Sequence, residues 1–285
     1  MKLEIIKKAF VLLSLVMTLQ ASDEIERERE NYTEAWKSTT IKETLFELYG
    51  KELVLEEIKE INVTVPPISE NGRVIPFSIK SEIPLKSIAI MQEIKGNKSL
   101  IAFIKIPKSK RVNYNLRLNL GSSFNGKVIT VSEGVSGQFY KTINRVNARF
   151  NCCFGCLDSN EVIYTKEQIE AKRNSLKDKK NRKYKLRLNQ KKKMLVFLSL
   201  FTSCNYKESK DYGLPVQFTT HLKFSQDNQT IVEIYTSEYI SNYLYFKFDS
   251  RDINTEEPLS LFITNINGNI IEEQSNIDGV IKYFQ

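Results

Sequence analysis

The stretch Val74–Ile79 reads VIPFSI and follows an Asn71-Gly72 turn, while the earlier stretch Ile61–Val65 reads INVTV. Both runs alternate apolar and polar residues, which is the period of a β-strand that buries one face. Asn-Gly is a common turn between two strands. From Ile61 onward, the pattern therefore predicts strands and turns and not helices.

Similar short runs continue along the chain, separated by turns rich in glycine and asparagine. The further runs are Leu85–Ile94, Leu100–Ile106, Val112–Leu118, Lys127–Ser132 and Phe139–Val146. Seven short strands at nearly regular spacing are typical of a β-sandwich of immunoglobulin-like size.

A second set of strand-like runs fills the last third of the chain. An apolar run from Met194 predicts a buried strand that ends at Cys204. It is followed by Pro215–Phe224, Thr230–Thr236, Tyr243–Phe248, Leu259–Asn265 and Asn269–Gln274. We therefore expect an all-β protein with two immunoglobulin-like sandwich domains, a charged and partly helical linker between them, and an N-terminal helix.

The expected domain boundaries follow from shifts in pattern and charge. Ser22 to Gly50 is polar with apolar residues at helical spacing, and Gly50 is a natural helix stop. Tyr164 to Lys193 is highly charged and predicts a solvated, partly helical linker. The predicted organisation is a signal peptide at 1–21, a helical segment at 22–60, a sandwich at 61–150, a cysteine cluster and linker at 151–182, and a second sandwich at 183–285.

Two segments of the chain, 1–21 and 157–193, together carry more net positive charge than the whole chain. The 285 residues carry a net charge of +8, of which residues 1–21 contribute +2 and residues 157–193 contribute +8. The rest of the chain is therefore about −2 (8 − 2 − 8). Because the rest of the chain is not basic in sum, a groove for nucleic acid is not expected.

The N-terminus predicts export. Lys2, Lys7 and Lys8 form a basic segment, and the apolar run Ala9–Leu19 is too short to span a bilayer as a helix. Cleavage after Ala21 would leave no stable membrane insertion. Export would also expose the cysteines to an oxidising compartment.

This sequence lacks the residues that most kinds of catalytic site need. The single histidine, His221, lies in an alternating run and is interpreted as a surface or partly packed strand residue. One histidine excludes a multi-histidine metal site and weakens any case for a Cys-His catalytic pair. Phosphate-binding and dinucleotide-binding glycine motifs are absent. We therefore expect no enzyme activity and no cofactor.

The cysteines remain as candidate functional residues. Residues 151–156 read NCCFGC and hold Cys152, Cys153 and Cys156 on a predicted exposed turn, and the fourth cysteine is Cys204. Cys153 and Cys156 have the C-x-x-C spacing that suits a reversible disulfide or a soft metal. Three uses stay open from the residues alone: a reactive thiol, a structural disulfide that includes Cys204, or a Zn²⁺ or Cu⁺ site.

Three stretches of the first half resemble SoxY, the periplasmic sulfur-carrier subunit of bacterial thiosulfate oxidation. They are Glu43–Gly50 (ETLFELYG), Val65–Pro76 (VPPISENGRVIP) and Leu85–Ile90 (LKSIAI). The end of the chain is similar to SoxZ, the partner of SoxY, chiefly at Ile240–Phe248 (ISNYLYFKF). The chain thus looks like a SoxY–SoxZ fusion, and its nearest relatives would be fused carriers linked to quinoprotein dehydrogenases.

The resemblance implies a role for the cysteine cluster. SoxY carries sulfur intermediates on the cysteine of a Gly-Gly-Cys-Gly-Gly tail, and Cys153 takes that position here. Among the four glycines of the tail, this chain keeps Gly155 alone. The implied function is a periplasmic carrier that holds a sulfur intermediate on the Cys153 thiolate for partner enzymes, with Cys152, Cys156 or Cys204 as resolving or redox residues.

The partners implied are periplasmic sulfur-oxidation enzymes or a quinoprotein dehydrogenase system. The alternative function is a non-carrier interaction or structural module, with a disulfide or soft-metal cysteine cluster, that associates with a periplasmic dehydrogenase.

Overall fold

The structure is a computed structural model. It describes residues 32–94, 96–121, 124–148, 184–189, 194–199, 218–240, 245–249, 253–254, 257–266, 270–275 and 282–283. In these ranges, no helix has the length and apolar character needed to cross a membrane.

The described residues form short helices at the start and strands throughout the rest. The helices are α1 (Thr33–Lys37) and α2 (Ile41–Tyr49). The strands of the first half are β1 (Leu55–Glu56), β2 (Ile61–Thr64), β3 (Ile68–Ser69), β4 (Ile75–Ser81), β5 (Leu85–Glu93), β6 (Leu100–Lys110), β7 (Asn113–Leu118), β8 (Asn125–Gly134) and β9 (Phe139–Ala148). Those of the second half are β10 (Tyr184–Asn189), β11 (Met194–Ser199), β12 (Thr219–Gln226), β13 (Gln229–Thr236), β14 (Tyr245–Asp249), β15 (Leu259–Asn265), β16 (Ile270–Ser275) and β17 (Lys282–Tyr283).

These strands make two sheets. The larger sheet has ten strands in the order β1-β9-β8-β5-β6-β13-β12-β15-β16, with β3 also paired to β9. The smaller sheet has seven strands in the order β17-β10-β11-β14-β7-β4-β2. The apolar faces of both sheets pack into one core. The prediction of an all-β sandwich is confirmed.

Both sheets run without a break from the first half (residues 32–148) into the second half (residues 184–283). In the larger sheet β6 pairs with β13, placing Phe103 opposite Tyr235. In the smaller sheet β7 pairs with β14, placing Leu116 opposite Phe246. The core between the sheets also contains residues of both halves. The halves are thus joined edge to edge, and the predicted domain boundaries stay a prediction.

The strand pattern of the sequence matches the burial in the structure. Along β4, Ile75, Phe77 and Ile79 are at most 1% exposed, whereas Pro76 and Lys80 face outward. This alternation is what the period of two predicts. β5 and β6 are instead buried along most of their length, because each lies between two strands and is covered on both faces.

The two helices cover the outer face of the larger sheet. The hydroxyl of Thr40 accepts a hydrogen bond from the Glu43 amide and caps α2, and Gly50 ends it at φ 68°. Leu45 and Leu48 join the apolar cluster on this face. The sequence predicted one helical segment from 22 to 50; in its described part there are two helices, α1 and α2, because the chain leaves helical geometry at Ser38.

The charged stretch Tyr164–Lys193 ends in a strand. Residues 184–189 form β10, which pairs with β11 along its whole length. The expected helical character is wrong for these residues, because the alternation of Tyr184, Leu186 and Leu188 is hidden among lysine and arginine residues. β10 lies after the predicted end of the linker at 182, within the segment predicted as the second sandwich. β11 begins at Met194, as the apolar run predicted.

Candidate functional site

The four cysteines that the sequence singled out, Cys152, Cys153, Cys156 and Cys204, lie outside the described residues. The structure does describe the chain up to Ala148, the last residue of β9. Cys153 follows five positions later (153 − 148). Because an extended chain spans at most about 3.6 Å per residue, the Cys153 Cα lies within about 18 Å of the Ala148 Cα.

The end of β9 is held by backbone hydrogen bonds on both sides. The Asn147 amide donates to the Pro67 carbonyl at 2.9 Å, and the Ala148 amide donates to the Phe124 carbonyl at 2.7 Å. The short strand β3 runs parallel to β9 here, with Ser69 opposite Ala148. Ala148 is 3% exposed. The segment that carries Cys153 therefore starts from a fixed point.

The SoxY-like stretch Val65–Pro76 builds this fixed point. It supplies the Pro67 carbonyl, strand β3 and the turn at Asn71, whose side chain accepts a hydrogen bond from the Arg73 amide at 3.0 Å. The Gly72 carbonyl accepts from the Leu120 amide at 2.8 Å, which ties the turn to the end of β7. The stretch that the sequence singled out as a motif thus positions the root of the cysteine segment.

Gly72 leaves no room for a side chain. A Cβ atom at this position would fall on the carbonyl group of Gly121 and within 3.0 Å of the Ala148 Cβ. The obstacle is backbone, which cannot move aside as a flexible side chain would. We expect Gly72→Ala to lower the free energy of unfolding by about 3 kcal/mol, the upper end of the usual cost of overpacking. Chemical denaturation of the full chain measures this change.

The matched control for this prediction is Gly137→Ala. Gly137 has φ 82°, and a Cβ atom added there would have no other atom within 4 Å, so alanine meets backbone strain alone. That strain costs about 1–2 kcal/mol. An equal or smaller loss of stability for Gly72→Ala would contradict a tight contact between Gly72 and Gly121.

The surface around the root exposes apolar side chains. Ile68 is 54% exposed and Val74 is 36% exposed, and both belong to the stretch that holds Ala148. Arg73 beside them is also exposed. A macromolecule that receives Cys153 would have to reach this part of the surface, because the cysteine cannot lie more than about 18 Å from Ala148.

A hydrogen-bonded chain fastens α2 to the larger sheet. The Tyr49 hydroxyl lies 3.0 Å from Ser87 Oγ, which donates to Glu133 Oε2 at 2.9 Å. Burial raises the pKa of the Tyr49 hydroxyl well above its ordinary value, although the Ser87 hydrogen bond acts in the opposite direction. Tyr49 and Ser87 come from two different SoxY-like stretches. These hydrogen bonds have a structural role, because they hold the neutral Tyr49 phenol against the larger sheet.

A second polar cluster lies at the junction of the two halves. His221 Nε2 is 2.7 Å from Glu233 Oε1, and the His221 ring stacks on Tyr235 with 4.7 Å between ring centres. Glu233 lies opposite Lys223 on β12 and opposite Lys105 on β6 of the first half. The carboxylate therefore faces cationic residues on both neighbouring strands.

Burial and charge act in opposite directions on Glu233, which is 8% exposed. Burial alone would raise its pKa, but the hydrogen bond from His221 and the electrostatic attraction of His221, Lys105 and Lys223 together hold the pKa below its ordinary value. Glu233 is thus the ionised partner, and His221 Nε2 donates to it.

The sequence interpretation of His221 as a surface or partly packed residue is wrong, since the side chain is 1% exposed. The alternating pattern located the strand but could not show that the outer face of the sheet is covered there. Lys105 and Glu233 were not singled out at all, because a pair 128 residues apart (233 − 105) leaves no local signal. In the ranges that the structure describes, no three His, Cys, Asp or Glu side chains form a metal site.

Comparisons with known proteins agree with the resemblance seen in the first half. Residues 46–153 match the family model of the sulfur oxidation protein SoxY. The search of curated proteins found no significant match.

Solved structures that are similar to this chain include the following two. The sulfur carrier protein SoxY from Chlorobium limicola f thiosulfatophilum is 21% identical, covers 40% of this chain and 96% of its own, and has a TM-score of 0.33. A chicken TCR structure is 10% identical, covers 79% of this chain and 99% of its own, and has a TM-score of 0.24. The span that matches the SoxY family model, 46–153, includes the root of the cysteine segment and Cys153 itself.

Proposed function

We propose that this protein is a periplasmic carrier of sulfur oxidation that holds a sulfur intermediate covalently on the thiolate of Cys153. The observation that carries the proposal is the extent of the family match, which runs through the sandwich and ends at Cys153. The fixed end of β9 supports it further, because a carrier residue works from a defined root with limited reach.

Two balanced reactions can load sulfur onto Cys153. When a persulfide R–S–S⁻ is the donor, the Cys153 thiolate attacks the outer sulfur, Cys153–S–S⁻ forms and R–S⁻ leaves, with no net oxidation. When thiosulfate is the donor, the new S–S bond between Cys153 and thiosulfate releases two electrons. The partner for that step must therefore be an enzyme that accepts electrons.

Release can use a neighbouring thiol. The thiolate of Cys156 or Cys152 attacks the Cys153 sulfur, forms a protein disulfide and displaces the carried sulfur, which leaves as HS⁻ after taking up a proton, or the carried thiosulfate, which leaves as S₂O₃²⁻. A reductant in the form of a dithiol protein then restores both thiols. Cys204 is the further candidate for this resolving role.

The remaining parts of the proposal rest on the sequence. The second half is SoxZ-like and provides a docking surface for periplasmic sulfur-oxidation enzymes or a quinoprotein dehydrogenase system. The signal peptide at residues 1–21 directs export. The role is that of a carrier on which partner enzymes act, and no catalytic residue is assigned.

The first test is a loading experiment on the reduced mature chain. After incubation with glutathione persulfide, we expect a mass increase of one sulfur atom, located at Cys153 by peptide mass spectrometry. The thiolate is the attacking group, so loading should rise with pH through the range in which the thiol ionises. Protein isolated from the periplasm should carry adducts on the same residue and begin at Ser22.

Matched variants separate Cys153 from its neighbours. Cys153→Ser should lose the adduct, whereas Cys204→Ser should keep it. Cys156→Ser should keep the adduct but release it more slowly when no other thiol is added. An adduct of the same yield on the Cys153→Ser protein, or a native protein with every cysteine in a stable disulfide, would overturn the proposal.

The second candidate is an interaction or structural module associated with a periplasmic dehydrogenase. It is favoured by the density of thiols, since three cysteines within five positions can also form a disulfide or hold Zn²⁺ or Cu⁺. Titration of free thiols with and without reductant, together with metal analysis of the purified chain, distinguishes this module from a carrier.

A further inference from the structure

Strand β9 has an open edge between two short parallel strands. β1 pairs with it at Phe139 and Tyr140, and β3 pairs with it at Asn147 and Ala148. Between these points β9 pairs with β8 on one side, and on the other side the described chain from β1 to β3 passes through β2, which lies close to β9 without pairing with it. An unpaired strand edge is a template for an added strand.

The direction of the backbone groups follows from the hydrogen bonds at the end of β9. The Asn147 amide donates outward to Pro67, and the Ala148 amide donates inward toward β8. Because backbone groups alternate along a strand and the β8–β9 register has no shift, Ile143 and Arg145 present their N–H and C=O groups outward. Within the described residues, no hydrogen bond to these groups is found.

The side chains along this edge form a pattern of cation, apolar residue and cation. Lys141, Ile143 and Arg145 share the outer face of the sheet with Phe139, which packs under α2. Ile143 is 44% exposed. Lys141 Nζ lies 3.9 Å from a carboxylate oxygen of the exposed Glu57, which is a weak contact.

Arg145 has no ion pair among the described side chains, and its cross-strand neighbour on β8 is another cation, Lys127. Lys127 is itself paired with Glu93, at 2.6 Å from Nζ to Oε2, so Arg145 is the cation at this end that has no acidic partner among the described side chains. We call the residues Lys141–Arg145 the β9 edge.

A second copy of this chain does not fit the β9 edge. If two copies paired antiparallel about Ile143, each Lys141 would face an Arg145. Like charges directly opposite each other destabilise a strand pair. A segment with an apolar residue between two acidic residues would instead place opposite charges at both positions and an apolar contact at the centre.

We propose that the β9 edge is a docking site for an extended acidic segment of a partner protein, which adds one strand to the larger sheet. The main-chain hydrogen bonds of Ile143 and Arg145 supply affinity, and the charges of Lys141 and Arg145 select the partner. Ile143 precedes Cys153 by ten positions in the chain (153 − 143). The carried group is thus within about 36 Å of the docked partner, a step that rests on the proposed function.

The test uses the full mature chain with Cys153→Ser, so that binding cannot depend on cargo. The probe is the fluorescent peptide ETVTE, which carries glutamate on either side of valine and matches the five residues of the β9 edge, and its control is KTVTK. Fluorescence anisotropy should show at least tenfold tighter binding of the glutamate peptide. Its affinity should fall with added salt, because the selecting contacts are exposed charges.

Two variants separate the backbone from the side chain. Ile143→Pro removes the outward N–H, which an edge strand tolerates, and should weaken binding of the glutamate peptide at least tenfold. Ile143→Thr keeps the N–H and a β-branched side chain, and should weaken it about two- to threefold. Thermal unfolding checks that both variants fold.

Amide hydrogen exchange of the unmodified edge provides a readout that needs no variant at residue 143. The glutamate peptide should slow exchange at Ile143 and Arg145, and the lysine peptide should not. Equal binding of both peptides, unchanged exchange at these two amides, or a concentration-dependent dimer that Ile143→Pro abolishes would overturn the proposal. Peptide binding without sulfur loading on Cys153 would leave the docking site standing and remove the carrier function alone.

Discussion

Replacing Phe246 with alanine is expected to lower the free energy of unfolding by about 3–5 kcal/mol, the usual cost of removing a fully buried phenylalanine. Phe246 is 0% exposed and lies opposite Leu116 at the junction of β14 and β7. Its ring centre is 5.3 Å from Tyr114 of the first half and 5.2 Å from Phe248 of the second. The cavity would therefore open between the two halves.

The larger consequence is that both halves should unfold together. The chain has a single tryptophan, Trp36, which lies in α1 of the first half. Its fluorescence reports on the first half, whereas far-ultraviolet circular dichroism reports on all strands. In urea, Phe246→Ala should move both transitions to the same lower midpoint, because the sheets and the core are continuous.

The matched control is Lys247→Ala on the same strand. Lys247 lies opposite Asn115 at the same junction but is half-buried, so its loss should change the free energy of unfolding by less than about 1 kcal/mol. If Phe246→Ala left the urea midpoint of the tryptophan fluorescence transition unchanged, the two halves would unfold independently. That result would contradict the coupling.

The strands were predictable because each is encoded locally. Alternation places Ile75, Phe77 and Ile79 on one face, and glycine or asparagine marks the turns, so the period of two located the strands of the first half to within a few residues. The exceptions are β1 and β3, which have two residues each and are too short to show a period.

The junction of the halves was not predictable, because a pair of edge strands leaves no local pattern. The near-continuous apolar run of β6 does contain a signal, since a strand buried on both faces is typical of a sheet interior. The sequence could not show which strand covers its far side. That strand is β13, whose Glu233 meets Lys105.

The candidate site was predictable in part. The run VPPISENGRVIP carried the resemblance, and the structure adds the physical reason for its glycine, which is the close approach of Gly72 to Gly121. The roles of Cys152, Cys153, Cys156 and Cys204 stay predictions. The β9 edge was missed because an isoleucine between two cations is typical of any exposed strand. Only the structure shows that none of the strands it describes pairs with β9 at this position on the side away from β8.

Replacing Glu233 with glutamine should lower the free energy of unfolding by about 3 kcal/mol at pH 7, since it leaves the buried His221 and the partly buried Lys105 and Lys223 without the carboxylate that they face. The substitution keeps the shape of the side chain but removes the acceptor charge at His221 and the charge that faces Lys105 and Lys223. The loss should be larger than for an exposed pair. Glu82→Gln breaks the ion pair between Lys80 and Glu82, whose side chain is 68% exposed. This variant should lower the free energy of unfolding by less than about 1 kcal/mol.

The Glu233 carboxylate should also make the free energy of unfolding depend on pH. The pKa of Glu233 in the folded chain is below its ordinary value of 4.5, so the unfolded chain binds a proton at a higher pH than the folded chain. The stability that Glu233 contributes is therefore fully present above pH 4.5 and is lost as the pH falls through the lower folded pKa. Urea unfolding between pH 3 and pH 7 should show a steeper acid loss for the wild type than for Glu233→Gln.

Addition of His221→Gln to both proteins isolates the interaction between the two side chains. If the pair is the source of the effect, the double variant should lose less than the sum of the two single variants. If the wild type and Glu233→Gln lost stability equally between pH 7 and pH 3, other carboxylates would cause the loss of stability at low pH. In that case the charges of Lys105 and His221 would not be what keeps Glu233 ionised at the junction of the two halves.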